Sequence, residues 1–197
     1  PDDMTLLPPT LLFESDAIVR RSPSMTTVLA LANDKGGVGK TTSVINIGTL
    51  LAERGANVLV VDNDPQANLT RRMGFKGMTA NGKERTLTDY FFGKYALPEI
   101  IRPTNFPRLW VLPSAHNANL AAKGVHEWPQ RALTFTKDLH AMLVAPPPYH
   151  AEKFDWIIID TPTADEYRIR LALAAAHFVA APALPSSFAA SGLQILF

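Results

Sequence analysis

Eight consecutive residues combine three glycines, two lysines and two threonines: Lys35-Gly36-Gly37-Val38-Gly39-Lys40-Thr41-Thr42. The segment follows an apolar run and opens a helical pattern, which is the context that a phosphate-binding loop requires. Its glycines allow unusual backbone dihedrals, so that successive N–H groups and the helix N-terminus can form an anion cradle. Lys40 is then expected to reach the β- and γ-phosphates, and the Thr41 hydroxyl to bind Mg²⁺. A plain glycine-rich turn is disfavoured because it does not explain Lys40 and Thr41.

One position departs from the strict Walker A pattern. That pattern requires glycine at position 34, where this chain has Asp34. The match is therefore to a variant form of the loop, with an additional lysine, Lys35, beside the glycines.

Carboxylates end two further apolar runs. Asp62 and Asp64 follow one run on alternate residues, and Asp160 ends another. Ligands of open α/β sheets bind at the carboxyl ends of the strands. Asp62 and Asp64 can therefore serve a metal shell and an attacking water, and Asp160 fits a Walker B carboxylate that holds Mg²⁺. The alternative for Asp62 and Asp64 is an Asx turn with solvated carboxylates.

The elements that must position these residues follow from the hydrophobic pattern. Five short apolar runs predict buried parallel strands, at residues 27–32, 58–61, 109–112, 156–159 and 178–181. Helical patterns predict helices between them, over 44–51, 133–143 and 167–176, with a weak helix at 87–92. Strands that alternate with helices indicate a parallel α/β sheet with right-handed crossovers.

The composition is that of a folded chain. Hydrophobic residues make up 47% and charged residues 19% of the 197 residues, which excludes a disordered chain. A net charge of +1 disfavours a whole-surface nucleic-acid binder but allows a local basic patch. Because cysteine is absent, a disulfide scaffold, a thiolate zinc site, a cysteine nucleophile and a cysteine-ligated iron–sulfur cluster are excluded in this chain. We find no membrane span or signal peptide in the sequence, and expect a cytoplasmic protein.

Three blocks of the sequence together resemble the ParA-type partition ATPases of the deviant Walker A, or ParA/MinD, family. These blocks are residues 32–42, 61–68 and 160–162. Residues 109–114 with 120–121, and 178–185 with 192–193, are similar to two more blocks of that family. The resemblance runs in order through residues 26–197. It implies an α/β fold of the P-loop NTPase type, with three layers and a mainly parallel sheet, over residues 25–197. Residues 1–24 are expected to be an N-terminal extension.

The resemblance also implies a role for each candidate residue. Lys35 is expected to cross a dimer interface to the partner's phosphates, in the manner of an arginine finger. Asp64 is expected to position the attacking water, so that Lys35, Lys40 and Asp64 are the catalytic residues. The nucleotide is expected to contact Gly36, Gly37, Val38, Gly39, Lys40, Thr41 and Thr42, with Thr42 at the α-phosphate. The Mg²⁺ shell is expected to involve Thr41, Asp62 and Asp160.

Four features depart from the family pattern. Asp34 replaces the usual glutamine, Ala67 the usual glycine, and Thr163 a second proline. The chain also stops at Phe197, just inside the helix expected after the fifth strand. We therefore expect the C-terminal part of the domain to be missing, together with the adenine contacts and the DNA-binding residues of the family.

The function implied by the resemblance is a slow, partner-stimulated ATPase that uses ATP, ADP and Mg²⁺ and acts in plasmid or chromosome partition. Its implied partners are a second copy of the chain, bound on ATP, a ParB-like centromere-binding adaptor, and nonspecific DNA contacted through regions outside this chain. Its implied location is the nucleoid of a bacterial cytoplasm. The alternative is a MinD-like or cargo-positioning ATPase that works at a membrane or on a protein assembly. A dinucleotide-binding oxidoreductase is disfavoured because Thr42 occupies the third-glycine position of that fingerprint.

A loose basic stretch lies outside these motifs and consists of Arg71, Arg72, Lys76, Lys83 and Arg85. Such residues can contact DNA phosphates. Glu84 interrupts the stretch and no aromatic platform accompanies it, so a solvated loop is the favoured interpretation.

Overall fold

Six strands form one sheet in the order β3-β4-β2-β5-β1-β6. The computed structural model describes residues 26–76, 85–115, 128–148, 150 and 152–183. The predicted N-terminal extension and the segment after residue 183 lie outside these ranges. The strands are β1 Thr27–Leu31, β2 Val58–Asp62, β3 Arg102–Pro103, β4 Leu109–Leu112, β5 Trp156–Asp160 and β6 Phe178–Ala180.

All strand pairs are parallel except β3 with β4. The five predicted strands are therefore confirmed, and the mainly parallel sheet with them. The sequence pattern missed β3, a two-residue antiparallel strand at the edge of the sheet. One of its two residues is Pro103, which cannot donate a ladder hydrogen bond and is tolerated at an edge.

Helices cover both faces of this sheet. They are α1 Lys40–Glu53, α2 Asn68–Arg72, α3 Leu87–Phe91, α4 Leu97–Ile100, α5 Trp128–Val144 and α6 Glu166–Ala175. The three strong helix predictions and the weak one at 87–92 are confirmed, whereas the short helices α2 and α4 were not predicted. Among the helices of the described ranges, none is long and apolar enough to cross a membrane.

The buried side chains of the central strands point alternately to the two faces of the sheet and form two core clusters. On β2, Leu59 and Val61 pack with residues of α3, α5 and α6, whereas Val58 and Val60 pack with residues of α1 and α2. Successive side chains of a strand point to opposite faces, so one fully apolar strand can serve two helical layers. The result is the predicted three-layer α/β arrangement.

Helix α1 lies unusually close to the sheet at Gly48. A Cβ atom built on Gly48 would stand 2.9 Å from Cγ1 of Val60 and 3.4 Å from Cδ1 of Leu109. The absence of a side chain at this position is therefore what allows α1 its close approach to β2 and β4. Because α1 begins at Lys40, directly after the glycine-rich loop, the distance of α1 from the sheet also sets the position of that loop.

The carboxyl ends of three adjacent strands meet at one edge of the sheet. Asp160, the last residue of β5, is paired in register with Asp62 of β2 on one side and Leu31 of β1 on the other. The glycine-rich loop follows β1 and therefore emerges at the same edge. The fold thus gathers the three predicted motifs, which are far apart in the sequence.

Candidate active site

The glycine-rich loop makes its turn through two left-handed residues. Gly37 has φ +73° and Gly39, the N-cap of α1, has φ +91°. Nothing lies within 4 Å of a Cβ built on either glycine, so the requirement at both positions is conformational rather than steric. The loop therefore ends at the N-terminus of a helix of 14 residues, whose unpaired N–H groups and dipole favour a bound anion.

Lys40 is the buried cation of this loop. Its side chain is largely sequestered, and Nζ donates to the carbonyl oxygens of Asn33, at 2.9 Å, and Lys35, at 3.1 Å. Burial lowers the pKa of Lys40, while the charges of Asp160, Asp64 and Asp34 oppose the change. The ammonium group is thus held beside the loop by two backbone acceptors that a phosphate oxygen can replace.

Asn33 fixes the start of the loop. Its side-chain oxygen accepts a hydrogen bond from the Lys35 N–H at 2.9 Å, and its amide donates to the Pro182 carbonyl at 2.8 Å. Asn33 is buried and thereby ties the loop after β1 to the segment after β6. On the other side, the Thr161 hydroxyl donates to the Leu31 carbonyl at 2.8 Å and ties the end of β5 to that of β1.

Asp160 is a buried carboxylate without a well-formed hydrogen bond. Neither of its oxygens has such a partner among the described residues. Burial raises the pKa of Asp160 to about 7, and the charges of Asp62 and Asp64 add to the rise, whereas the Thr41 hydroxyl and the Lys40 ammonium oppose it. Native proteins seldom leave a buried polar group unpaired, and such a group calls for a ligand or an ion. The predicted metal residues Asp160 and Thr41 are therefore brought together.

Asp62 behaves differently, because its two oxygens already accept three hydrogen bonds. Thr70 donates to Oδ2 through its N–H, at 2.7 Å, and through its hydroxyl, at 2.6 Å, and the Asp64 N–H donates to Oδ1 at 3.1 Å. The Thr70 hydroxyl in turn accepts from the Ser114 N–H at 2.9 Å. Burial raises the pKa of Asp62 to about 6, and the bonds from Thr70 oppose the rise. Asp62 thus organises the turn after β2 and links it to α2 and to the end of β4.

Asp64 lies at the mouth of the site. Its Oδ1 accepts from the Gln66 N–H at 2.8 Å, so both Asp62 and Asp64 make the Asx-type bond of the alternative interpretation. Neither is simply solvated, however, since Asp62 is fully buried and Asp64 is half-buried and lines the cavity. The turn geometry and the candidate catalytic position are therefore compatible.

A cavity of about 430 Å³ opens over the loop. Of the predicted site residues it is lined by the loop from Gly36 to Thr42 and by Asp64. Five residues that were not among the predicted site residues also line it: Gln66, Asn68, Arg72, Thr161 and Thr163. Lys35, Asp62 and Asp160 are not among the described residues of this lining. The sequence signal that could have identified Gln66 and Asn68 was their position two and four residues after Asp64.

A buried arginine braces the turn that carries Asp64. Arg168 of α6 is fully buried, and its Nη1 contacts the carbonyl oxygen of Asn63 at 3.4 Å and the side-chain oxygen of Asn63 at 3.5 Å. The Asn63 amide donates back to the Arg168 carbonyl at 2.7 Å. Nε of Arg168 lies 3.6 Å from the carboxylate of Asp165. Sequence reasoning missed this contact, because Arg168 is one of three charged residues in the first half of α6 and no motif distinguishes it from Glu166 and Arg170.

Comparisons with known proteins agree with this geometry. A family model described as an AAA domain matches residues 26–197. Over 169 residues the chain is 33% identical to the chromosome partitioning protein ParA of Caulobacter vibrioides, which covers 86% of this chain and 60% of that protein. This chain spans about 60% of the length of ParA from Caulobacter vibrioides and of the Soj ATPase of Treponema pallidum, to which it is 32% identical.

Two solved structures are also similar. One is cobyrinic acid a,c-diamide synthase from Mycobacterium smegmatis with bound ADP and magnesium, with a TM-score of 0.74, 30% identity, and coverage of 87% of this chain and 65% of that chain. The other is an ATP complex of a McdA variant from Cyanothece, with a TM-score of 0.72, 26% identity, and coverage of 88% and 62%. Residues 26–197, which the family model matches, contain the whole described site. The chain therefore belongs to the AAA domain family and is a ParA-type member of its ParA/MinD group.

Proposed function

We propose that this chain is a ParA-like ATPase, which binds ATP with Mg²⁺ in the cavity over the glycine-rich loop and hydrolyses it to ADP and phosphate. The observation that carries the proposal is that an anion cradle and a buried carboxylate meet at one sheet edge; the carboxylate is that of Asp160, whose oxygens have no well-formed hydrogen bond among the described residues. The cradle accounts for a polyphosphate, and the carboxylate for a cation that accompanies it.

The residues present suit Mg²⁺, because this ion needs only part of its ligands from the protein. No group of three or more His, Asp or Glu residues suited to a metal occurs within the described part of the chain. Mg²⁺ is commonly held by one or two carboxylates together with substrate phosphates and water. Thr41 and Asp160 would hold the ion. Asp62 stays a predicted member of the Mg²⁺ shell, although its oxygens already accept hydrogen bonds from Thr70 and Asp64. The ion would neutralise charge on the transferring phosphoryl group.

Three residues of the chain then act on the reacting phosphate. Lys40 exchanges its backbone acceptors for phosphate oxygens and places a positive charge beside them. Asp64, half-buried at the cavity mouth, orients a water molecule for attack. Lys35 supplies a second positive charge to the site of a partner subunit, and because a dimer is then required, the free chain is expected to hydrolyse ATP slowly.

Partition of DNA is the proposed biological role. The support is the 33% identity to the chromosome partitioning protein ParA of Caulobacter vibrioides over 86% of this chain. The proposed partners are a second copy of the chain, a ParB-like adaptor that stimulates hydrolysis, and nonspecific DNA. ATP-dependent and salt-dependent DNA binding by the full-length protein, with hydrolysis accelerated by the adaptor, would be the expected behaviour.

Nucleotide binding is tested first with Lys40→Ala. Isothermal calorimetry with Mg²⁺ and ATP should give saturable binding to the wild type and no measurable binding to the variant. The matched control is Lys94→Ala, because Lys94 is an exposed lysine that pairs with Asp89 at 3.0 Å and does not line the cavity. Equal affinities for the wild type and Lys40→Ala would refute the site.

Turnover is tested separately with Asp64→Ala. A group that acts on water in the transition state should lower kcat and leave ground-state affinity largely unchanged. Wild-type hydrolysis by this variant would remove Asp64 from the mechanism. Mixing Asp64→Ala with Lys35→Ala subunits tests action across the dimer, since one site of the mixed dimer then has both groups. No recovery of activity in demonstrated heterodimers would contradict a role of Lys35 in trans.

A further inference from the structure

A second cation lines the candidate nucleotide cavity. Arg72 is the last residue of α2, and the sequence alone assigns it to a solvated basic stretch. In the fold it lines the same cavity as the glycine-rich loop and Asp64. It belongs to none of the phosphate-binding or carboxylate motifs.

The contact that holds Arg72 there is made with the loop itself. Nη1 of Arg72 donates to the Thr42 hydroxyl at 3.2 Å, and Thr42 lies in the first turn of α1. The neighbouring Arg71 takes another direction, since its Nη2 donates to the Asn68 side chain at 2.8 Å and it does not line the cavity. One short helix thus presents two exposed arginines, of which one enters the cavity.

The charges around Arg72 favour an anionic ligand over an internal ion pair. Among the described residues, no carboxylate lies within salt-bridge distance of Arg72. Asp64 is the single acid in the described cavity lining. A guanidinium group has five N–H donors arranged in a fork that matches phosphate oxygens, and the bond to Thr42 engages one of them.

Lys40 and Arg72 contact different parts of the loop, since Nζ of Lys40 donates to the carbonyl oxygens at its start and Nη1 of Arg72 to the Thr42 hydroxyl at its end. Lys40 is coupled electrostatically to Asp160 and Asp64, so its end is the one with the metal and water chemistry. Arg72 is bonded to Thr42, two residues further along α1. We propose that Arg72 is a nucleotide-binding residue, which together with Thr42 contacts the phosphate nearest the nucleoside. This inference rests on the proposed function and adds a contact in cis to it.

The test compares Arg72→Ala with Arg71→Ala. Calorimetry with Mg²⁺ and either ADP or a nonhydrolysable ATP analogue measures the two affinities at low and high NaCl. Arg72→Ala should weaken both nucleotides about tenfold, because a charge-assisted hydrogen bond is lost from a partly exposed site. Arg71→Ala should bind like the wild type. Arg72→Lys should recover part of the loss, since it restores the charge without the fork.

The salt dependence supplies an independent readout. An exposed cation is screened by salt, so the affinity of the wild type should fall more steeply with NaCl than that of Arg72→Ala.

Each failure has a distinct meaning. If the wild type binds nucleotide and Arg72→Ala binds as tightly as Arg71→Ala, this inference is overturned while the proposed function stands. A loss confined to the triphosphate also overturns it, because the contact would then be with the terminal phosphate. A wild type that binds neither nucleotide contradicts the proposed function and this inference together.

Discussion

Replacing Gly48 by alanine probes the contact that sets the height of α1 over the sheet. The added Cβ atom would meet Cγ1 of Val60 at 2.9 Å, well inside the 3.5–4.0 Å or so at which carbon atoms attract. Val60 is completely buried in a central strand and has no open space into which to turn. Either α1 moves outward or the Val60 side chain is strained.

Two opposing effects determine the size of the change in stability. Gly→Ala in a helix interior gains about 1 kcal/mol, because glycine has more backbone freedom to lose on folding. Overpacking of a dense core costs about 1–3 kcal/mol. We therefore expect Gly48→Ala to lower the free energy of unfolding by about 1 kcal/mol, although the same substitution at an open helical site would raise it. Because α1 carries the cradle at its N-terminus, nucleotide affinity should fall as well.

Urea denaturation measures the change in the free energy of unfolding, provided that the variants share the m-value of the wild type. Asn46→Ala is the control, since Asn46 lies on the exposed side of the same helix, and its stability should stay within about 0.5 kcal/mol of the wild type or rise slightly. A double-mutant cycle with Val60→Ala isolates the contact, because removing Cγ1 relieves the clash. The coupling should favour the double variant by about 1 kcal/mol or more. A stabilised Gly48→Ala with additive behaviour in the cycle would refute the reasoning.

Three further predictions concern other parts of the site and the sheet edge. Ala67 is buried with φ +52°, a left-handed conformation that disfavours a Cβ atom, so Ala67→Gly should raise stability by about 0.5 kcal/mol in thermal unfolding, and a lowered Tm would contradict this. Arg168→Met should lower kcat more than nucleotide affinity, because the brace on the turn after β2 is lost, whereas Arg170→Met on the exposed side of α6 should change neither. The Val28 N–H donates to Nδ1 of His177 at 2.9 Å, and burial, together with a neighbouring histidine, lowers the pKa of His177 from its ordinary value of 6.5. The stability from this bond should therefore be present above pH 6.5 and be lost as the pH falls below it, and Tm against pH should be flatter for His177→Asn than for the wild type.

The glycine-rich loop could be predicted from the sequence because its requirements are local. Left-handed dihedrals at Gly37 and Gly39, a lysine and a hydroxyl side chain all lie within a few consecutive residues. The central strands were equally accessible, since a strand buried on both faces must be apolar at every position. Their carboxyl ends then had to meet at one edge, which brought Asp62 and Asp160 into register.

The edge strand β3 and the short helices could not be predicted from the sequence in this way. Strand β3 has two residues and includes Pro103, and α2 has five residues, too few for either periodicity to be visible. Such segments take their conformation from the packing of their neighbours rather than from their own pattern. Ala67 is an instance, because its left-handed conformation follows from the tight turn between β2 and α2 and not from its own preference.

The tertiary structure alone determines why similar side chains, close together in the sequence, have different surroundings. Asp62 and Asp64 are two residues apart, yet the first is enclosed by Thr70 and the second lies at the cavity mouth. Arg71 and Arg72 are adjacent, yet only the second lines the described cavity. Residue type and spacing determine which chemistry is possible at an edge of the sheet. The direction in which each side chain points is set by long-range contacts, such as those of Thr70 with Ser114 and of Arg168 with Asn63, because these bring together segments that the sequence keeps far apart.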